Sequence, residues 1–186
     1  MAEAAKRRAT YEDVLSSPDD VVAEVVFGTL YQSPRPATPH ALASSAIGEE
    51  LGLPFKRGRG GPGGWMILDE PELHLGEHIV VPDLGGWRRE RLPEMPLAPY
   101  LELAPDWVCE VLSPSTRALD RGQKLRVYAD CGVGFVWFVE PLEQLVERLE
   151  LDGPTYRIID TAEGDATVRL KPFDAIEFPL GALWQR

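Results

Sequence analysis

Asp106-Trp-Val-Cys-Glu-Val-Leu112 is an apolar run carrying one internal acid, and Pro114 brings it to a stop. Successive side chains of an extended chain face opposite ways. Trp107, Cys109 and Val111 therefore share one face, and Val108, Glu110 and Leu112 the other. Glu110 is a carboxylate among apolar neighbours. Unpaired and buried it would be costly and would move toward its neutral form. It requires a partner, either a protein cation or a metal ion. Further on, Gly134-Phe-Val-Trp-Phe-Val139 is apolar at every residue after the glycine, the pattern of a strand covered on both faces. Between the two strands, Arg117 to Asp130 reads as a helix ended by Gly132.

Working outward, Thr10 to Leu15 predicts a short helix, and Val21 to Phe27 with Thr29 to Gln32 predicts a hairpin about Gly28. Thr38-Pro39-His40 opens a second helix, with Thr38 as cap, Leu42, Ala43, Ala46, Ile47 and Leu51 at helical spacing, and Gly52 as its stop. Lys56 to Gly64 is basic and glycine-rich. No GKS or GKT follows it, so it is read as a mobile loop and not a phosphate-binding loop. Trp65 to Asp69, Glu72 to Leu75 and His78 to Leu84 predict three strands, and residues 88–105 a proline-punctuated loop. The tail alternates over Leu145 to Leu151, turns at Asp152-Gly153 and resumes at Tyr156 to Ile159, with another strand at Ala166 to Leu170. Helices are too few for a regular βαβ series. The expectation is an α/β (α+β) fold, a mixed β-sheet flanked by helices, with extra β-hairpins at the N- and C-terminal ends.

The chain has 186 residues, 44% hydrophobic and 26% charged, which suits a single domain over residues 1–186, the first nine expected to be disordered. No apolar run approaches the ~20 residues needed to cross a bilayer, and none follows Lys6-Arg7-Arg8 to make a secretory leader. A cytoplasmic address and no membrane partner are expected. Cys109 and Cys131 offer neither a disulfide framework nor a CxxC metal motif. A net charge of −11 argues against a protein that coats nucleic acid, because phosphate neutralisation needs clustered cations. Local clusters exist nonetheless: Lys56-Arg57-Gly58-Arg59, Arg88-Arg89-Glu90-Arg91, and Arg117, Arg121 and Arg126. Each is either a solvated surface or a phosphate contact.

Asp83 raises the same question as Glu110. It follows Ile79-Val-Val81 and Pro82, and a proline, unable to donate to a ladder, marks a strand end where a side chain is re-aimed. Two acids on neighbouring strand ends repel unless a cation lies between them, and hard oxygen ligands suit magnesium. Lys124 lies four residues after Asp120, beside Arg117 and Arg121. It either forms an exposed i,i+4 ion pair or, if the helix packs across the strand it follows, reaches the metal-bound water.

Val80-Val-Pro-Asp83, Asp106-Trp-Val-Cys-Glu110-Val-Leu-Ser-Pro-Ser-Thr116 and Asp120…Lys124…Tyr128…Gly132-Val133…Trp137 resemble the Uma-type bacterial family. These are endonucleases of the PD-(D/E)XK, restriction-endonuclease-like superfamily. The likeness extends over Glu24, Gly28, His40 and the C-terminal hairpins, nearly the whole chain. It implies a restriction-endonuclease-like core in which Asp83 and Glu110 bind a divalent cation, magnesium or manganese, for hydrolysis of DNA. The superfamily's lysine two residues after the second acid is absent, since Leu112 stands there. The resemblance implies that its role has moved to Lys124. Glu24 and His40 are expected near the site, with Asp120 and Glu72 as accessory acids, although Glu72 reads equally as a solvated turn carboxylate. Arg117, Arg121 and Arg126 are the expected nucleic-acid contacts, and the aromatic C-terminal hairpins a surface for pairing two chains. A non-catalytic binding relative is the competing reading. A serine hydrolase using Ser113 or Ser115 lacks a GxSxG elbow and a triad histidine order, and His74 and His78, near Glu72, are not read as a zinc site.

Overall fold

The computed structural model describes residues 7–184. Residues 7–9 belong to the segment expected to be disordered, yet they are held: Ala9 N–H bonds to the Gly28 carbonyl at 2.9 Å and Arg8 pairs with Glu77 at 2.6 Å. The rest of that expectation, residues 1–6, lies outside the described residues. Helix α1 spans Tyr11–Leu15. Strands β1 (Val21–Val26) and β2 (Thr29–Pro34) form the first hairpin, whose turn holds Phe27 and Gly28 at φ 48° and 73°. Helix α2 spans Thr38–Leu51, and its cap position is Ala37 rather than Thr38. Pro39 has no N–H, which removes one of the donors a capping side chain would satisfy. Gly52 does not stop this helix. Its φ is −62°, and a π-wound turn, Gly52–Lys56, continues inward because Pro54 and Phe55 are buried, Phe55 against Phe173.

Strands β3 (Trp65–Asp69), β4 (Leu73–Leu75), β5 (His78–Val80), β6 (Leu84–Arg88) and β7 (Trp107–Val111) follow. The run read as one strand from His78 to Leu84 is two, broken at Pro82-Asp83, where the chain leaves one sheet for the other. Residues 117–130 form a continuous helical run, α3, whose middle turn, Asp120–Lys124, is π-wound: Leu125 N–H bonds back to the Asp120 carbonyl. Then come β8 (Phe135–Glu140), β9 (Leu145–Asp152) and β10 (Thr155–Glu163). The strand expected at Ala166 to Leu170 is a two-residue β11 (Thr167–Val168) that pairs with β12 (Phe178–Pro179) outside the main sheet.

The larger sheet is six-stranded in the order β10-β9-β8-β7-β6-β3, parallel only between β7 and β8. The smaller, four-stranded, runs β2-β1-β5-β4. The alternation read in residues 106–112 holds. Trp107, Cys109 and Val111 pack with Trp137 against Ala43, Ile47 and Leu51 of α2 and against Phe173. Val108, Leu112, Val136 and Phe138 pack on Val127 and Tyr128 of α3. Each fully buried apolar side chain contributes roughly 1.5–3 kcal/mol. These two layers pin α2 and α3 to opposite faces of β7, so Glu110 faces α3.

Candidate active site

Pro82 leaves no N–H for pairing, and the chain between β5 and β6 turns Asp83 inward. One carboxylate oxygen of Asp83 accepts the Val111 N–H at 2.7 Å, and the other meets Nε2 of His40, from the first turn of α2, at 3.0 Å. Glu110, 2% exposed, stands next to this bond on β7. Its Oε1 lies 3.0 Å from the Lys124 ammonium and accepts the Tyr128 hydroxyl. The π-wound turn of α3 presents Lys124, also 2% exposed, to a ring of acceptors: Glu24 Oε1 at 3.0 Å, Asp120 Oδ1 at 3.2 Å and the Val81 carbonyl at 3.3 Å. Glu24 arrives from β1 of the smaller sheet and also takes the Val81 N–H at 2.8 Å. Glu24, His40, Asp83, Glu110, Asp120 and Lys124 line one cavity of about 270 Å³.

Three carboxylates, Glu24, Glu110 and Asp120, thus surround a single ammonium, with Asp83 lining the same cavity. Burial raises the Glu110 carboxyl well above its ordinary value; Lys124 opposes this, while Asp120, Asp83 and Glu24 reinforce it. For Lys124, burial pulls the other way, yet Glu110, Glu24 and Asp120 hold the ammonium well above the ordinary lysine value. Burial would likewise lower His40, but the hydrogen bond to Asp83 and the charges of Asp83, Asp120 and Glu70 outweigh it and raise its pKa. The Nδ1 of His40 is buried without a hydrogen-bond partner among the described residues.

Among the described residues no three His, Cys, Asp or Glu side chains stand as a ready-made metal cage. The donor set instead offers two hard carboxylates, Asp83 and Glu110, in a cavity with excess negative charge. That fits magnesium, which takes one or two carboxylates and keeps several waters. Softer metals find no thiolate here, for Cys109 packs on the opposite face of β7 with its thiol raised well above the ordinary value by burial.

Glu72 does not join this cluster. It pairs with His74 at 2.8 Å, whose ring stacks on Tyr100, and His78 accepts the Phe27 N–H, so the two histidines have separate structural partners. Arg117 pairs with Glu140, and Arg121 with Glu147 while lying over the Phe138 ring. Arg126, largely exposed, stands 3.8 Å from Asp130. Sequence reading gave no role to Tyr128, although its place four residues beyond Lys124 on one helix face was the available signal. Glu70 and Arg35, paired at 3.6 Å on the cavity wall, carried no signal at all.

Residues 8–181 match the model of the Uma2 family, described as "Putative restriction endonuclease". No curated protein matches significantly. Among solved structures, the chain is similar to "a putative nuclease belonging to DUF820" from Anabaena variabilis ATCC 29413, with a TM-score of 0.76 and 23% identity over 95% of this chain and 97% of that one. At that identity the likeness establishes the mixed-sheet fold.

Proposed function

The chain belongs to the Uma2 family, and on that premise we propose that it is a divalent-metal-dependent endonuclease hydrolysing phosphodiester bonds in DNA, with Asp83, Glu110 and Lys124 as its catalytic residues. The observation that carries the reading is the meeting of a strand-end aspartate, a mid-strand glutamate and a lysine in one cavity, Lys124 Nζ lying 3.0 Å from Glu110.

Asp83 and Glu110 would hold the cation. When bound, a magnesium or manganese ion screens the phosphodiester charge and acidifies a water at neutral pH. The chain's own residues do the positioning. Val111 N–H and His40 fix the Asp83 carboxylate, and the Tyr128 hydroxyl fixes Glu110. Lys124, kept protonated by its acids, serves as a hydrogen-bond donor to the attacking water or to a phosphate oxygen and not as a base. Arg117, Arg121 and Arg126, on the helix that carries Lys124, are proposed as flanking phosphate contacts once their carboxylate partners yield.

The test is nicking of supercoiled plasmid by purified protein with magnesium or manganese. Asp83→Asn and Glu110→Gln are each expected to reduce the rate by at least ~100-fold. Cleavage that survives both substitutions overturns the assignment. The competing reading, a non-catalytic binding domain, is favoured by one feature: Lys124 is already engaged by Glu24, Glu110 and Asp120. It predicts tight DNA binding with no heat on titrating magnesium into the protein.

A further inference from the structure

Acids outnumber bases by thirty to nineteen, and the arginines and lysines are paired accordingly. Arg7, Arg8, Arg35, Arg91, Arg117, Arg121, Lys124, Arg126, Arg148, Arg157, Arg169 and Lys171 each lie within 4.0 Å of a carboxylate. Among the described residues the arginines and lysines left without such a partner are Lys56, Arg57, Arg59, Arg88 and Arg89. They come from two segments 30 residues apart in sequence that the fold brings together. Arg89 donates its backbone N–H to the Gly64 carbonyl at 2.9 Å and its guanidinium to the Lys56 carbonyl at 3.3 Å, while Arg88 lies over the Trp65 ring.

The loop bearing Arg57 and Arg59 is tied down rather than trailing. Arg59 N–H bonds to Leu53 and Gly63 N–H to Pro54, each at 2.9 Å. The four arginines are exposed, whereas Lys56 is half-buried in a shallow depression shared with Glu49 and Asp69. The load therefore falls on the guanidiniums, which suit phosphate oxygens. The aromatic residues of this face, Phe55 and Trp65, are buried, so the surface offers charge without a platform for stacking bases.

Resting on the nuclease reading above, we propose that the Arg57, Arg59, Arg88 and Arg89 surface is a second contact for duplex DNA, gripping the phosphate backbone away from the acidic cavity. Asp83 precedes the first residue of β6 and Arg88 is its last. At ~3.3 Å per residue the two are ~17 Å apart along the strand. That is about five base-pair steps at ~3.4 Å each, so an oligonucleotide duplex is long enough to reach both. Without such a surface the overall negative charge would repel the substrate.

The full chain, carrying Asp83→Asn to prevent cleavage and without metal, is titrated against a fluorescent 30-base-pair duplex at several salt concentrations. Replacing Arg57, Arg59 and Arg89 together by Gln is expected to weaken binding at least tenfold at low salt. It should also reduce the slope of log affinity against log salt by about 3, near one unit per lost phosphate contact. Arg157→Gln with Arg169→Gln, exposed arginines elsewhere, should change neither. An unchanged slope in the triple variant overturns the proposal, as does an equal loss in the control pair. So does loss confined to phosphatidylserine vesicles or heparin with duplex binding intact. Because binding is read without catalysis, a protein that never cuts DNA but loses binding in the triple variant sinks the nuclease reading and leaves this surface standing.

Discussion

Glu110 sits at 2% exposure with Lys124 and Tyr128 on one of its oxygens and four further carboxylates, Glu24, Glu70, Asp83 and Asp120, around the same cavity. Its raised pKa has a consequence for stability. A carboxyl whose folded-state value lies above its unfolded value contributes stability below about 4.5, and that contribution is lost as pH rises toward the raised folded value. Glu110→Gln does not titrate and avoids this loss. In the absence of metal it should melt higher than the parent at pH 7, by ~2–4 °C for each kcal/mol of relief, with the gain shrinking toward pH 4. Thermal melts followed by circular dichroism over pH 4–8 check this. An unchanged or lower melting temperature at pH 7 would show that Lys124 already compensates the acids. The need of Glu110 for a partner was legible from its apolar neighbours, whereas the identity of that partner was not, because a cation and a metal ion satisfy the same requirement.

The sheet places its acids through β6 and β7, and β6 begins Leu84-Gly85-Gly86. A Cβ built on Gly86 would come within 2.9 Å of Trp107 Cε3, a buried indole with little room to move. Gly86→Ala should therefore destabilise by about 1–3 kcal/mol through overpacking, read by urea denaturation. Since Asp83 lies just before the same strand, magnesium affinity should fall with it. A variant as stable as the parent would mean that β6 can shift away from β7 at little cost. Strand alternation, the Gly28 hairpin and the helical spacing of Leu42 to Leu51 were readable because each depends on neighbours a few residues away. The π-wound turns at Gly52–Lys56 and Asp120–Lys124 were not. Gly52 reads as a helix stop and residues 117–130 as one regular helix, whereas the π-wound turns accompany the burial of Phe55 in one case and of Lys124 in the other.

Taken as one body, the protein concentrates negative charge in its cavity and unpaired positive charge on the Arg57–Arg89 surface. A divalent ion that binds the folded cavity and not the unfolded chain raises stability by mass action. The gain is about 2.7 kcal/mol at a hundredfold excess over its Kd, or roughly 5–10 °C for a chain of this size. Magnesium should accordingly raise the melting temperature of the parent and leave Asp83→Asn nearly unmoved. An equal shift in both would place the ion elsewhere.

Local patterning, which requires only the next few residues, determined most of the strands, two principal helices and the oddity of Asp83 and Glu110 as acids within apolar runs. Their meeting with Glu24 from the smaller sheet, His40 from α2 and Lys124 from α3 was decided by packing. Those groups lie tens of residues apart along the chain, and nothing short of the closed core holds His40 3.0 Å from Asp83 and Lys124 3.0 Å from both Glu24 and Glu110. The same holds for charge: composition sets how many arginines there are, but only the folded surface decides which of them find a carboxylate and which remain available to a phosphate.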